Sequence, residues 1–281
     1  MKFQIKNIIA IIAVTLSLAS CSSDDTAPAV DELEGLTKFK EITNTTHTIE
    51  LYSHQTIQQG YNEIALKIKD NATGKYVQDA SVSWLPLMHM SMMTHSCPKS
   101  AIEKSGTSGT VYKGTIVFQM AQNTTEYWDL KIDYNVNGTA YSATSVIDVP
   151  VSAKQRVTTF TGSDNVKYIL AYAEPHHPKV ALNEMIVGLY KMESMMNFSV
   201  VDNFKIKIDP RMPSMGNHGS PNNVDLTQSA ADKLYHGKMS LTMTGYWKIN
   251  LQLLNADNQV LKGEAITESV PSSSIYFELE F

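Results

Sequence analysis

Cysteine is nearly missing from this chain: Cys21 and Cys97 are the two among 281 residues. They allow one disulfide at most, and none if either is modified. Helical periodicity of any length is also missing, so a helical bundle is excluded. Basic clusters are missing as well. A net charge of −5 with 18% charged residues leaves no footprint for a nucleic acid, and none is expected as a partner. Neither G-x-S-x-G nor H-E-x-x-H occurs, which removes the usual serine-hydrolase and zinc-hydrolase signatures; the chain reads as no enzyme. The longest apolar run, Ile8 to Ala19, is too short to span a bilayer.

That run does have the layout of an export signal. Lys2 and Lys6 precede it, and it ends in "LASC". This ending resembles the lipobox of bacterial lipoproteins, which implies a signal peptide over residues 1–20 and a lipid on Cys21. "SSDD", Ser22 to Asp25, resembles the acidic signal that exports lipoproteins to the outer surface. The expectation is a protein of the cell envelope held on a membrane through Cys21, at the outer membrane, facing the periplasm or exposed at the surface. Each buried acyl methylene contributes about 0.8 kcal/mol, so several chains make a stable anchor. The polar, acidic residues that follow read as a flexible tether over 21–40.

Beyond the tether, short segments rich in Thr, Ile, Val and Tyr recur between Gly, Asn and Pro. "THTIELYS", "NEIALKIK", "GTVYKGTIVFQM", "YWDLKIDYNV" and "TAYSATSVIDV" read as strands. Asn137-Gly138 between two of them is a strong hairpin signal. The second half repeats the first: Tyr112, Gly114 and Met120 stand 123 residues before Tyr235, Gly237 and Met243. "EYWDLKI" and "GYWKINL" place Trp128 and Trp247 on equivalent strands, as core residues. The fold class is all-β, with two tandem immunoglobulin-like β-sandwich domains at 41–150 and 156–281. They join near Val149 to Gln155.

Methionine, by contrast, is plentiful and clustered. "WLPLMHMSMMTHSCP", Trp84 to Pro98, holds four Met, two His and Cys97 among polar neighbours. The 123-residue offset carries His89, Met92 and His95 onto Met212, Met215 and His218. H-x-x-M-x-x-H thus answers M-x-x-M-x-x-H. Residues at i, i+3 and i+6 line one side of a polyproline-like or 3₁₀ segment. Thioethers select Cu(I), imidazole is compatible with it, and zinc sites normally use Cys, His and carboxylate. These six residues are the candidate metal ligands, with copper, as Cu(I), the expected ion.

Met88, Met90, Met93 and Cys97 are spare donors beside the first set, with an inert buried thiol the alternative for Cys97. A further cluster, Met192, Met195 and Met196, is either edge packing or a donor set near Met212. His176 and His177 lie on a loop and bind Cu(II) or nothing; His47, His54 and His236 read as surface histidines.

"DPRMPSMGNHGSPNN" followed by "YHGKMSLTMTGYWKINLQL" resembles the YtkA-like (FixH-related) domain family of envelope β-sandwiches associated with copper handling. Its Met-Pro-x-Met-x-x-His core matches Met212, Pro213, Met215 and His218, and its G-x-W strand matches Trp247. The match covers roughly residues 183–252; in the first half His89 stands at the place of the first Met. The resemblance implies copper. Two functions remain open: a lipid-anchored copper carrier serving an envelope cuproenzyme or transporter, and an adhesive or structural tandem sandwich that binds protein or glycan without metal.

Overall fold

The computed structural model describes residues 32–106 and 108–281. The expected signal peptide, Cys21 and most of the expected tether lie outside the described residues. The first half folds as β1 (Thr37–Thr43), β2 (His47–Ser53), β3 (Gly60–Asp70), β4 (Ser81–His89), β5 (Thr94–His95), β6 (Glu103–Ser105), β7 (Val111–Phe118), β8 (Tyr127–Val136) and β9 (Thr139–Ile147). β1 therefore begins inside the segment read as tether. Two antiparallel sheets result, in the orders β1-β2-β3-β7-β6 and β5-β4-β8-β9.

Alternation explains the packing. Trp128, Leu130, Ile132 and Tyr134 take every second position of β8 and point inward, against Ile49, Leu51, Ile64, Leu66 and Ile68 of the facing sheet. Each such aliphatic side chain contributes about 1.5–3 kcal/mol when fully buried. Asn137 and Gly138 both take positive φ, the geometry of the tight turn between β8 and β9.

The second half contains β10 (Val157–Thr161), β11 (Lys167–Glu174), β12 (Leu182–Met192), β13 (Phe198–Val200), β14 (Lys205–Met212), β15 (His218–Gly219), β16 (Val224–Gln228), β17 (Tyr235–Ser240), β18 (Tyr246–Leu254), β19 (Val260–Lys262) and β20 (Tyr276–Glu280). The order is β10-β11-β12-β17-β16-β14-β18-β19, with β13 on β12, β15 on β14 and β20 on β18. β16 pairs with both β17 and β14, so here the two faces form one continuous sheet. It folds around a second core built on Trp247, Tyr235 and Phe277.

The repeat extends to single hydrogen bonds. The Tyr112 hydroxyl accepts from the Ala80 N–H at 2.7 Å, and the Tyr235 hydroxyl accepts from the Phe204 N–H at 3.1 Å. Asn62 donates to the carbonyls four and two residues before it, and Asn183 does the same. A third apolar cluster joins the halves: Val117 of β7 packs with Val157, Ile169, Ala171 and Tyr190. Residues 32–281 form one compact unit.

Candidate metal centre

β4 sets the register of the first Met/His loop. Along β8, Trp84 lies opposite Ile132, Pro86 opposite Leu130 and Met88 opposite Trp128. β5 folds back so that His95 lies opposite Met88, and Trp128 in turn lies opposite Ile147. Directly opposed residues share a face, so His95, Met88, Trp128 and Ile147 form one row across four strands. That face is the core, and all four side chains are buried.

His95 is held in one tautomer. Its Nδ1 lies 2.7 Å from the Ser96 carbonyl oxygen, which can only accept, so Nδ1 carries the proton. In the neutral ring Nε2 then presents a lone pair, and the atom it faces at 3.2 Å is the Met120 sulfur. The imidazole also meets the Trp128 ring edge-on, with centroids 5.6 Å apart. The Trp128 indole N–H donates to the Met120 carbonyl at 3.0 Å, which fixes the backbone carrying that sulfur. Two lone-pair donors thus meet inside the sandwich end, in direct contact. A soft cation bound by both would lie to one side of the pair, because metal–nitrogen and metal–sulfur bonds of about 2.0 and 2.3 Å do not fit end to end across 3.2 Å. His95 and Met120 fit Cu(I) by donor chemistry. Among the described residues no three His, Cys, Asp or Glu side chains gather as a metal site.

The expected set of His89, Met92 and His95 does not converge. Residues 88 and 89 are strand, where side chains alternate in direction, so the threefold spacing does not apply. His89 turns away from the core; its Nε2 lies 2.6 Å from an Asp129 carboxylate oxygen and its ring stacks on Tyr127. Met92 is 88% exposed at the turn, and Met93 is 49% exposed. Met88 is fully buried, and Met90 packs partly buried on the same core.

Cys97 is buried in that core, where loss of hydration pushes its thiol well above the usual range. It is a thiol at neutral pH, as the inert alternative requires.

The second loop has the same row in a more open form. Arg211 lies opposite Lys248, so Met212 one step on faces Trp247, while His218 lies opposite Met212 and Leu279 opposite Trp247. The counterpart of Met212 is therefore Met88 and not His89. The fixed sequence offset misplaces the strand by one residue, which inverts its faces. Met212 is buried in the second core, whereas His218 is exposed. Pro213–Met215 form a 3₁₀ turn, and Met215 on it is 57% exposed. Met212, Met215 and His218 thus do not face one point from one side of a threefold segment.

The cluster expected near Met212 docks elsewhere. The Ser96 N–H donates to the Met195 carbonyl at 2.8 Å, so the loop with Met195 and Met196 lies beside the first Met/His loop. Met195 and Met196 are 38% and 39% exposed, and Met192 packs on the cluster joining the halves. His176 lies 3.4 Å from Glu174, and His236 pairs with Glu184 and Asp232. His54 is exposed, with Nδ1 3.2 Å from the Gly35 carbonyl. His47 is not a surface residue: it is buried, edge-on to Tyr134 and Tyr141.

Met120 was not among the expected donors. The available signal was the recurrence of Met120 as Met243, each the last methionine ahead of a core tryptophan strand.

No family model matches the chain, and no curated protein matches it. One solved structure, described as an anomalous substructure of titin, is 9% identical over 77% of this chain and 91% of its own, with a TM-score of 0.20.

Proposed function

We propose that this is a lipid-anchored cell-envelope protein that binds copper as Cu(I) and buffers it or hands it to an envelope cuproenzyme or transporter. The observation that carries the reading is the His95 Nε2 facing the Met120 sulfur at 3.2 Å, with Nδ1 already committed to a carbonyl. Thioether and imidazole together suit a cuprous ion, and thioethers need no deprotonation to bind it. The buried setting suits holding metal more than activating water, so no catalytic step is assigned. The lipobox-like "LASC" supports attachment through Cys21.

Anaerobic Cu(I) titration of the full chain against a chromophoric chelator tests the reading. Met120→Leu keeps volume and apolarity, which cores tolerate for less than about 1.5 kcal/mol. The variant should melt almost normally and lose first-half copper. A chain that binds no Cu(I) ends the proposal. Cys21→Ser should release the protein from membranes in detergent-free fractionation; retention there would refute the anchor.

A second reading has its own support. Met92, Met93, Met195 and Met196 are exposed, and adaptable thioether surfaces suit protein contacts. On that reading Met120→Leu changes no metal affinity, while polar replacement of the four exposed methionines abolishes partner binding.

A further inference from the structure

We propose that Met243, and not the exposed Met215, completes a second soft-metal site with Met212 and His218 beneath Trp247, as the open counterpart of the closed His95–Met120 pair. This inference rests on the copper reading and deepens it.

Three observations support the ligand set. His218 opposite Met212 and Leu279 opposite Trp247 match His95 opposite Met88 and Ile147 opposite Trp128, and extending the β14–β18 ladder one step past Arg211–Lys248 joins the two pairs into one row. The Trp247 indole N–H donates to the Met243 carbonyl at 3.0 Å, the same clamp that Trp128 places on Met120. Met243 packs partly buried against the second core, as Met120 does against the first. Gly245 then leaves the needed space: a Cβ there would stand 3.2 Å from the Met212 terminal methyl. Its φ of +120° also disfavours any other residue. Met215 has none of these relations.

The two sites differ in access. His95 is 6% exposed, and the segment beyond it is covered where Ser96 bonds Met195. His218 is exposed, and a hollow of about 410 Å³ opens beside its loop, lined by Gly216, Asn217, Thr267 and Pro271. A soft monovalent cation would therefore enter and leave at His218 and be retained at His95.

The test uses the full chain, Cu(I) under anaerobic conditions, and two readouts: metal-to-protein ratio against a competing chelator, and the indole N–H resonances of Trp128 and Trp247. Wild type should bind two ions and shift both indoles, with the ion sensed by Trp247 leaving faster to the chelator. Met243→Leu should bind one, shift Trp128 alone, and weaken the second site at least about tenfold, the lower bound for disturbing even an outer-shell partner of a metal ligand. Met215→Leu should match wild type. Loss in Met215→Leu with retention in Met243→Leu overturns the ligand set. So does a Trp247 indole that stays fixed at saturation in wild type, a measurement that needs no variant to fold. A wild-type chain that binds no Cu(I) overturns the copper reading itself, and the two failures are thereby distinct.

Discussion

The Ser96 N–H of the first sandwich donates to the Met195 carbonyl of the second at 2.8 Å. Ser96 is fully buried, its hydroxyl donates to the Pro86 carbonyl, and its own carbonyl faces His95 Nδ1. One residue thus ties the histidine to the joint between the halves. In native-state hydrogen exchange the Ser96 amide should be strongly protected. Tyr190→Ala, in the apolar cluster at that joint, removes a buried ring and should cost about 3–5 kcal/mol. Exchange at Ser96 should accelerate with it. Unchanged protection would mean that the joint does not hold the loop.

The paired tyrosine bonds give a test of the repeat. Tyr112→Phe leaves the Ala80 N–H without its acceptor, and Tyr235→Phe does the same to Phe204. Each should cost about 1–3 kcal/mol by denaturant unfolding. The residues belong to separate cores, so the double variant should lose the sum within about 0.5 kcal/mol. A large coupling would contradict separate cores.

Cys97 should be silent toward thiol reagents while the protein is folded. Its side chain is buried and burial pushes its thiol upward, leaving little thiolate. Labelling at pH 8 should follow the unfolding rate and become immediate in denaturant. Labelling at the rate of a free thiol in the native protein would disprove the buried placement.

Acid should loosen the start of the second sandwich. Burial raises the Glu278 carboxyl, but the Gln155 N–H, the Tyr246 hydroxyl and nearby lysines outweigh it and hold the group below its ordinary range. A carboxyl depressed in the folded state stabilises above its unfolded pKa, and that stability is lost as pH falls through the folded value. Glu278→Gln should therefore be less stable than wild type at neutral pH and lose less on acidification below about pH 4.5. Parallel pH–stability curves for the two proteins would rule this out.

The sequence made several elements legible. β2, β3, β7, β8 and β9 carry the β-branched and aromatic composition of strands, β8 alternates throughout, and Asn137-Gly138 marks its turn. The recurrence of Tyr112 and Trp128 as Tyr235 and Trp247 exposes the repeat. His47 was readable too, because it shares parity with Ile49 and Leu51 on the inward face of β2. The metal loop was harder. A strand shifted by one residue exchanges its faces, and no spacing rule fixes that shift; the cross-strand partners Met88–Trp128 and Arg211–Lys248 do. Met120 and the Met195 loop reach His95 and Ser96 through tertiary contact, which local patterning cannot register.

β16 gives the two halves unequal mechanical character. It ladders to β17 on one side and β14 on the other, so separating the faces of the second sandwich means breaking main-chain hydrogen bonds. In the first half no ladder among the described residues links the two sheets, which adhere through side chains and connecting loops. Under a pull along the chain the first sandwich should part before the second, and the layer carrying His95 would peel away from the facing sheet.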